Sequence, residues 1–434
     1  MRIAVVGAGV SGLVAAYLLS KEHEVVLYES EDRLGGHAHT HAITADGAPV
    51  AVDTGFMVYN PAQYPEFVGL LRELGVASAP TDMSFSVTIE NHVSFSSRFL
   101  PLGLFADVRT FFSPTFWSFI ISILRFHALG KRTLREGGHI DTPLGAFLKQ
   151  HRLNGYLREW YLYPMLSSIW SASVSDIEHF PTRATLEFMD SHDLLNNLFR
   201  AQWRTIRGGS ARYVEAMRAG LAEREVRLEV GTPVMSIERS AESVVVVSPN
   251  DRETFDQVVI ATHADGALAL LAEPTPAERE ILSLFSYSSN TVLLHGDTSV
   301  LPRLPLARAA WNYCAPSNGS APQEPVSVVY DMRLLQGTPK HSPVLVSLNG
   351  ESRVNPDAVY ARAHYRHPRY SLDSVAAQRR LGEIQGHNRT LFVGAHWGFG
   401  FHEDGVVSAV NAVGLWGVTP PWKRDLQRNS SPQR

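Results

Sequence analysis

The sequence predicts an α/β protein in which a parallel sheet is interleaved with a mixed α+β region. An apolar strand pattern at residues 2–6 leads through closely spaced glycines into a helical pattern that continues to Leu19. A second apolar run, 24–28, follows this helix and ends at an acidic residue. Further apolar runs recur at 256–262 and 391–394, so strand and helix patterns alternate along the chain, as α/β folds require.

The first strand–helix–strand unit has the pattern of a dinucleotide-binding turn. The residues between its strand and helix are Gly7-Ala-Gly9-Val-Ser-Gly12. Gly7 permits the tight turn, Gly9 lets a pyrophosphate approach the backbone, and Gly12 lets the helix pack against the strand. The helix N terminus offers free N–H groups to phosphates. Glu29 ends the second strand, where a carboxylate accepts hydrogen bonds from ribose hydroxyls, so we predict a Rossmann-type dinucleotide site.

Composition excludes several classes of protein. The chain has 434 residues, enough for two or three domains, and its formal net charge of −4 argues against a nucleic-acid partner. Cys314 is the single cysteine, so neither an intramolecular disulfide nor a dithiol redox pair can form. No signal-peptide pattern precedes the first strand, and we expect a cytoplasmic protein.

The residues after Glu29 make the cofactor more specific. Arg33-Leu-Gly35-Gly36 follows the acid, and Asp53-Thr-Gly55 stands further along the chain. This combination resembles the extended FAD signature of the amine oxidase, phytoene desaturase and protoporphyrinogen oxidase superfamily. The resemblance implies FAD rather than NAD as the cofactor, held non-covalently in a glutathione-reductase-like domain.

Two later segments extend this resemblance. Residues 231–234 resemble the strand whose backbone contacts the adenine, and residues 394–406 resemble the closing motif, where a helix N terminus meets the cofactor. The cofactor contacts implied by the motifs are Gly7, Gly9, Ser11, Gly12, Glu29, Ser30, Arg33, Gly35, Gly36, His37, Gly55, Phe56, Met57, Val234, Gly394, His396, Gly405 and Val406.

The superfamily pattern also implies a domain organisation. A Rossmann-type FAD-binding domain is expected to be interleaved with a mixed α+β substrate domain, not followed by it. The implied boundaries are 1–78, 208–282 and 386–418 for the FAD-binding domain, 79–207 and 283–385 for the substrate-binding domain, and 419–434 for a tail.

Three segments point to a narrower group. GFMVYN at 55–60, TIRGGSARYVEA at 205–216 and GFGFHEDG at 398–405 resemble bacterial NAD/FAD-binding proteins found near cyclopropane-fatty-acid-synthase-type methyltransferases. This resemblance implies oxidation, desaturation or isomerisation of a fatty acyl chain or lipid, and a methyltransferase as a partner.

Departures from the superfamily pattern argue against an ordinary amine oxidase. Amine oxidases place a Lys in the strand that passes the flavin, and the corresponding segment by strand order, 288–294, contains none. His396 stands where the closing motif normally carries an acid, and His37 stands where an Arg normally binds the pyrophosphate. His402 occupies the position of a conventional cage aromatic.

The catalytic candidates are His402, Glu403 and Tyr59, because each lies beside a motif expected to contact the flavin. Each also has a structural alternative: the first two would cap or brace the following helix, and Tyr59 would pack in the core. The alternation of His37, His39 and His41 is compatible with a metal site. Its position after the double glycine favours cofactor contact by His37, and we predict no metal.

The longest uncharged apolar stretch, residues 110–124, contains Pro114 and is too short to span a bilayer comfortably. It has two interpretations: a buried helix of the substrate domain, or an entrance that touches a lipid surface and admits a lipid chain. Arg125 and Lys131 after it are typical of a segment beside anionic lipid, which would place the protein peripherally at the inner membrane.

The leading hypothesis is an FAD-dependent oxidoreductase (an oxidase, desaturase or isomerase) acting on an apolar substrate. The alternatives are a flavin amine oxidase with an atypical site, and a non-catalytic flavin-binding partner of a lipid methyltransferase. A second dinucleotide fingerprint is missing from the sequence, so we expect no NADPH domain.

Overall fold

The computed structural model describes residues 1–137, 142–153, 155–196, 202–316 and 326–423. The composition of 315–325 predicts a surface loop and that of 427–434 a disordered end; most of the first segment and all of the second lie outside the described residues.

Over the described residues the chain forms strands β1 to β19 and helices α1 to α14. The strands are β1 Arg2–Val6, β2 Glu24–Glu29, β3 Thr40–Ala45, β4 Ala48–Asp53, β5 Ser78–Pro80, β6 Phe85–Ile89, β7 Val93–Ser96, β8 Arg204–Ile206, β9 Arg227–Val230, β10 Ser236–Arg239, β11 Val244–Val247, β12 Arg252–Phe255, β13 Gln257–Ile260, β14 Ser286–His295, β15 Trp311–Ala315, β16 Val328–Asp331, β17 Leu345–Leu348, β18 Val359–Arg369 and β19 Thr390–Phe392. The helices are α1 Val10–Leu19, α2 Pro65–Glu73, α3 Pro114–Glu136, α4 Leu144–Gln150, α5 Gly155–Leu157, α6 Tyr163–Trp170, α7 Val174–Glu178, α8 Thr182–Ser191, α9 Ala211–Glu223, α10 Ala264–Leu270, α11 Pro276–Ser283, α12 Met332–Gln336, α13 Leu372–Arg379 and α14 His402–Gly414.

The first sheet is parallel, in the order β19-β13-β1-β2-β9. Its central strand is buried on both faces, since Ile3, Ala4 and Val5 are all inaccessible to solvent. An unbroken apolar run of this kind is typical of a parallel strand covered by helices. Helices α1, α9 and α14 contribute to the core on one side, and α10 and α11 contribute to the core on the other. The α/β class predicted from the sequence is confirmed.

The second sheet is mixed, in the order β18-β14-β17-β16-β15-β6-β7. Its pairs are antiparallel except for the parallel pair of β15 with β6. The apolar runs at 291–295 and 344–348 predict strands, and the structure has β14 over the first and β17 over all but the first residue of the second. The aromatic-rich segment from about 79 to 207 has a mostly helical pattern, but its start forms β6 and β7, and helices α3 to α8 follow.

Two element boundaries differ from the sequence-based expectation. The apolar pattern at 233–237 predicts a strand, but β10 begins at Ser236, and Pro233 has no N–H to donate to a neighbouring strand. The stretch from Val406 has a helical pattern, but the helix, α14, already begins at His402. The Asp404 carboxylate accepts a hydrogen bond from the Phe401 backbone N–H at 2.9 Å, and this cap lets the helix start one turn earlier.

Helix α3 begins at a complete N-cap. The Ser113 hydroxyl accepts from the Phe116 N–H, and Pro114 occupies the first turn. At the other end, Gly137 takes the left-handed conformation that terminates many helices. Among the described helices, neither α3 nor any other is long and apolar enough to cross a membrane.

Candidate functional site

The turn between β1 and α1 is built around its glycines. Gly7 has a φ of +100°, a backbone conformation that is strained for a residue with a side chain. A Cβ on Gly12 would lie 1.8 Å from the Gly7 carbonyl oxygen, so this glycine is needed for the helix to reach the strand. A Cβ on Gly9 would meet no atom within 4 Å. Gly9 therefore faces open space at the N terminus of α1, where a phosphate group would fit.

Glu29 and the double glycine close around this turn. One Glu29 carboxylate oxygen accepts from the Ala8 N–H at 2.7 Å and the other from the Glu31 N–H at 2.9 Å, which fixes the side chain at the end of β2. The Gly35 N–H donates to the Ala8 carbonyl at 2.8 Å. A Cβ on Gly36 would lie 3.1 Å from the Gly9 Cα, so only a glycine allows the two loops to lie this close together.

A cavity of about 1140 Å³ runs from this glycine turn to helix α3. Residues that the sequence predicts for the site line the end of the cavity at the glycine turn and much of its middle. Those that line it are Gly7, Gly9, Ser11, Glu29, Ser30, Arg33, Gly35, Gly36, His37, Gly55, Phe56, Met57, Gly394, His396 and His402. The opposite end is mainly apolar, since Leu100, Leu104, Phe119, Ile120, Ile123 and Leu124 line it, although Arg98 and His127, close to them in the chain, also line the cavity.

The other predicted cofactor residues do not line the cavity. Gly405 instead allows α14 to approach α1, since a Cβ there would lie 2.7 Å from Val10 Cγ1 and 2.9 Å from Ser11 Oγ. Val406 is fully buried in the core beneath, and Val234 packs in the cluster on the other side of the sheet.

Glu403 and Tyr59, two catalytic candidates, also lie outside the cavity lining. The Glu403 carboxylate accepts from the Glu66 and Phe67 N–H groups, both at 2.9 Å, and so caps the N terminus of α2. Burial raises the pKa of Glu403 to about 7, although these donors lower it. Tyr59 is buried in the core and packs edge-on against Phe67. The geometry of Tyr59 agrees with the packing alternative, whereas Glu403 caps α2 and not the helix that follows it, as the structural alternative had assumed.

His402, the third catalytic candidate, lines the cavity but is fixed in place. Its ring stacks on Phe56 with centroids 3.6 Å apart, and its Nε2 is 2.8 Å from the Tyr213 hydroxyl. Burial lowers the pKa of His402 to about 3, so the imidazole is neutral at physiological pH. A neutral, hydrogen-bonded ring can orient neighbouring groups, but it is a poor carrier of a proton.

The structure adds a histidine cluster that sequence reasoning missed. The His37 ring centroid lies 5.1 Å from that of Tyr365, 5.4 Å from that of His367 and 6.0 Å from that of His263. Burial lowers the pKa of His263 and of His367 to about 4, and that of His396 to about 3. The signal that could have indicated it is the run His364-Tyr-Arg-His367 on β18.

Two observations test whether this site suits a bound flavin nucleotide. His37 lines the cavity, and its buried Nε2 has no hydrogen-bond partner in the structure, as expected of a side chain that contacts a ligand. The glycine turn offers open space at Gly9. Both fit the cofactor expected from the sequence. Within the described ranges there is no group of three or more His, Cys, Asp or Glu side chains that could hold a metal ion.

The comparison with protein families decides the class. The model of the flavin containing amine oxidoreductase family matches residues 10–415. The chain belongs to this family. Its cofactor is therefore FAD, and its class is that of the FAD-dependent oxidoreductases.

The curated relatives of this family member match only in part. Coproporphyrinogen III oxidase of Staphylococcus aureus (strain NCTC 8325 / PS 47) is 22% identical over 296 residues, which are 60% of either chain. Flavin-dependent L-tryptophan oxidase RebO of Lentzea aerocolonigenes is 41% identical over 76 residues, which are 17% of this chain and 16% of the relative. The match thus spans less than two thirds of the length of these relatives.

Solved structures share the fold over almost the whole chain. A fatty acid isomerase from P. acnes, described as producing CLA, superposes with a TM-score of 0.68 at 15% identity and covers 96% of this chain and 98% of its own. Cyclohexylamine oxidase from Brevibacterium oxydans IH-35A gives the same TM-score and identity, with 98% and 99% covered. At this identity the likeness establishes the fold and not the substrate.

Proposed function

We propose that this FAD-dependent oxidoreductase oxidises, desaturates or isomerises a long apolar substrate, of the kind of a fatty acyl chain. The observation that carries the proposal is the continuity of the cavity: the end that suits the nucleotide opens into an end lined by Leu104, Phe119 and Ile123. FAD, when bound, supplies hydride acceptance and, in an isomerisation, hydride return. The chain's own residues supply binding, orientation and exclusion of water.

The apolar end can bind a chain without a charged anchor. Each methylene removed from water contributes about 0.8 kcal/mol, so burying several methylenes of an acyl chain against this apolar wall gives useful affinity. Phe119 is buried in one apolar cluster together with Val292 of β14 and Tyr330 of β16, so this wall belongs to the core of the second sheet. A rigid wall of this kind holds an extended chain in one orientation relative to the opposite end.

The histidine cluster supports a reaction that needs no strong acid or base from the protein. His37, His263 and His367 are neutral at physiological pH, because burial lowers the pKa of each imidazole. Such rings exclude water and offer hydrogen bonds without adding a net charge. An isomerisation, in which hydride leaves the chain and returns to it, needs no proton acceptor, whereas a desaturation also releases a proton that the protein or water must accept. A fatty acid isomerase among the structures with the same fold is consistent with the proposal.

Blocking the apolar end tests the proposal. Ile120 lines the cavity, whereas its neighbour Ile121 is 56% exposed and does not. We expect Ile120→Trp to keep its FAD and to lose the change in flavin absorbance that unsaturated free fatty acids or phospholipids cause anaerobically in the wild type. Ile121→Trp, the matched control, should respond like the wild type, and mass spectrometry of the lipids should identify the altered bond.

Other outcomes would assign the protein elsewhere. Flavin reduction by amines, with no response to any acyl lipid, would overturn the proposal in favour of an amine oxidase with an atypical site. If neither class perturbs or reduces the flavin, the acyl-chain proposal also fails. A non-catalytic role beside a lipid methyltransferase would then be the remaining hypothesis, and co-purification with that enzyme would test it.

A further inference from the structure

The segment that carries the apolar mouth of the cavity also exposes large hydrophobic side chains to solvent. Phe112 is 78% exposed, Val108 68% and Leu102 65%, and on the following helix Ile121 is 56%, Leu124 49% and Trp117 42% exposed. We call these six residues the apolar patch. Contiguous exposed hydrophobics of this size mark interaction sites on soluble proteins, because a free surface of this kind costs solubility.

The patch has a defined shape. The Trp117 indole N–H donates to the Phe111 carbonyl oxygen at 2.8 Å, and the Phe105 ring packs between the two, with centroids 5.8 Å and 5.2 Å away. Asp107 accepts from the Arg109 N–H at 3.0 Å and fixes the turn before α3. These contacts hold the aromatic side chains outward, so their exposure is part of the fold.

One face of α3 changes from apolar to basic along its length. Trp117, Ile121 and Leu124 follow helical spacing on this exposed face. The same spacing continues to Arg132 and Arg135, which are also exposed. Over residues 98–137 there are six basic and two acidic residues, although the whole chain has a formal net charge of −4. A hydrophobic tip flanked by cations complements an anionic lipid surface.

The patch is continuous with the mouth of the cavity. Leu124 belongs to the patch and also lines the cavity, next to Ile120 and Ile123. Leu100, on the preceding loop, is 55% exposed and also lines the cavity. A surface that covers the patch would therefore also cover the apolar entrance.

We propose that the protein docks onto the surface of an anionic bilayer through the apolar patch, with the basic end of α3 against the lipid headgroups. Phe112 and Trp117 enter the interface between headgroups and acyl chains, where aromatic rings are favoured. Arg135 interacts with the anionic headgroups, and Arg132 does so by exchanging its exposed ion pair with Glu136 for a lipid phosphate. The contact is peripheral and does not depend on the reaction that the enzyme catalyses.

Vesicle flotation of the full-length, FAD-loaded protein tests this docking. We expect the wild type to float with phosphatidylcholine vesicles that contain phosphatidylglycerol and to bind pure phosphatidylcholine more weakly. Phe112→Asp with Ile121→Asp should abolish flotation. Tyr360→Asp with Leu415→Asp, which changes two large exposed side chains elsewhere (50% and 60% exposed), should not. FAD content, measured for every variant, verifies that each is folded.

Two further measurements distinguish insertion into lipid from self-association of the protein. Arg132→Glu with Arg135→Glu should weaken binding to the anionic vesicles by roughly 30-fold or more, since each cation near the surface contributes about 1 kcal/mol. Lipids brominated on the acyl chain should quench tryptophan fluorescence, and Trp117→Phe should remove most of that quenching. The proposal is overturned if the wild type ignores anionic vesicles, or if the control pair loses binding equally. It also fails if the patch instead holds two copies together, seen as a dimer that Phe112→Asp with Ile121→Asp dissociates.

Discussion

Gly9 differs from the other glycines of its motif in what surrounds it. Its φ of −68° is accessible to any residue, and its missing side chain leaves open space rather than a packing contact. The fold therefore does not require a glycine at this position. Binding of the pyrophosphate does, because that group would occupy the space a side chain takes.

A substitution at Gly9 should separate folding from cofactor binding. We expect Gly9→Val to purify as a folded protein without FAD, and Gly12→Val to misfold because its Cβ would overlap the Gly7 carbonyl. Flavin absorbance and circular dichroism of the two variants measure this difference. Full FAD occupancy in Gly9→Val, or flavin that remains attached to the denatured wild type, would contradict the non-covalent site.

His402 should make stability depend on pH. The pKa of His402 in the folded protein, about 3, lies below the ordinary value of 6.5. Between these pH values the unfolded chain therefore binds a proton at this histidine and the folded protein does not. The stabilisation is present above pH 6.5 and is lost as the pH falls from there towards 3. For His402→Gln, we expect the decrease in the free energy of unfolding between pH 7.5 and 5.5 to be smaller by about 1 kcal/mol. Denaturant titrations at the two pH values measure it, and an unchanged decrease would argue for a charged imidazole.

Local motifs made some of these residues predictable and left others hidden. Gly7, Gly9 and Glu29 act within one strand–helix–strand unit, so their spacing in the chain reports their geometry. His263, Tyr365 and His367 meet His37 only because β13, β18 and the double-glycine loop converge. No spacing in the sequence encodes a meeting of segments that far apart.

At the scale of elements, α14 joins the two halves of the site. The first turn of α14 places the His402 side chain at the cavity and the Glu403 carboxylate at the N terminus of α2. Two adjacent residues therefore have different roles, one lining the cavity and the other capping a helix. The sequence pattern indicated this helix but placed its start at Val406. The observed start at His402 depends on a cap formed by one side chain, Asp404, and a pattern of apolar residues gives no indication of such a cap.

The cap formed by Glu403 gives a prediction for α2. Removing the carboxylate in Glu403→Ala leaves two buried N–H groups without a partner, and we expect a loss of about 1–2 kcal/mol in the free energy of unfolding. Glu215→Ala removes an exposed carboxylate that pairs with Arg218 and should cost less than about 0.5 kcal/mol. Turnover per folded molecule should survive in both. A Glu403→Ala protein of normal stability that has lost turnover would restore the catalytic interpretation.

At the scale of the whole molecule, the two large sheets take their strands from different parts of the chain. Strands of the parallel sheet come from 2–29, 227–260 and 390–392, and those of the mixed sheet from 85–96 and 286–369. What the sequence left open was the environment of residues 110–124, since a buried helix and a surface helix share this composition. In the structure this segment has both buried and exposed apolar side chains: Phe116 and Phe119 are buried, whereas Phe112 and Ile121 are exposed.

A single dinucleotide fingerprint predicts that NADPH will not reduce the flavin efficiently. The glycine turn after β1 lines the cavity, and the sequence offers no second turn of this kind for a nicotinamide nucleotide. Anaerobic mixing with NADPH in a stopped-flow instrument should leave the flavin spectrum oxidised, whereas dithionite should bleach it and so prove the flavin competent. Rapid bleaching at roughly micromolar NADPH, within the usual range of KM values, would contradict the prediction.

The order of the parallel sheet has a consequence for biosynthesis. Strand β1 pairs with β2 early, but its other neighbour begins at Gln257, and the edge strand beside that one begins at Thr390. At ~5–20 residues per second, a ribosome needs on the order of 20 to 80 s to travel from the first strand to the last. For roughly two thirds of that time β1 is without β13, and for the rest β13 is without β19. Until residues 257–260 have emerged, the apolar edge of β1 is therefore open to incorrect pairing.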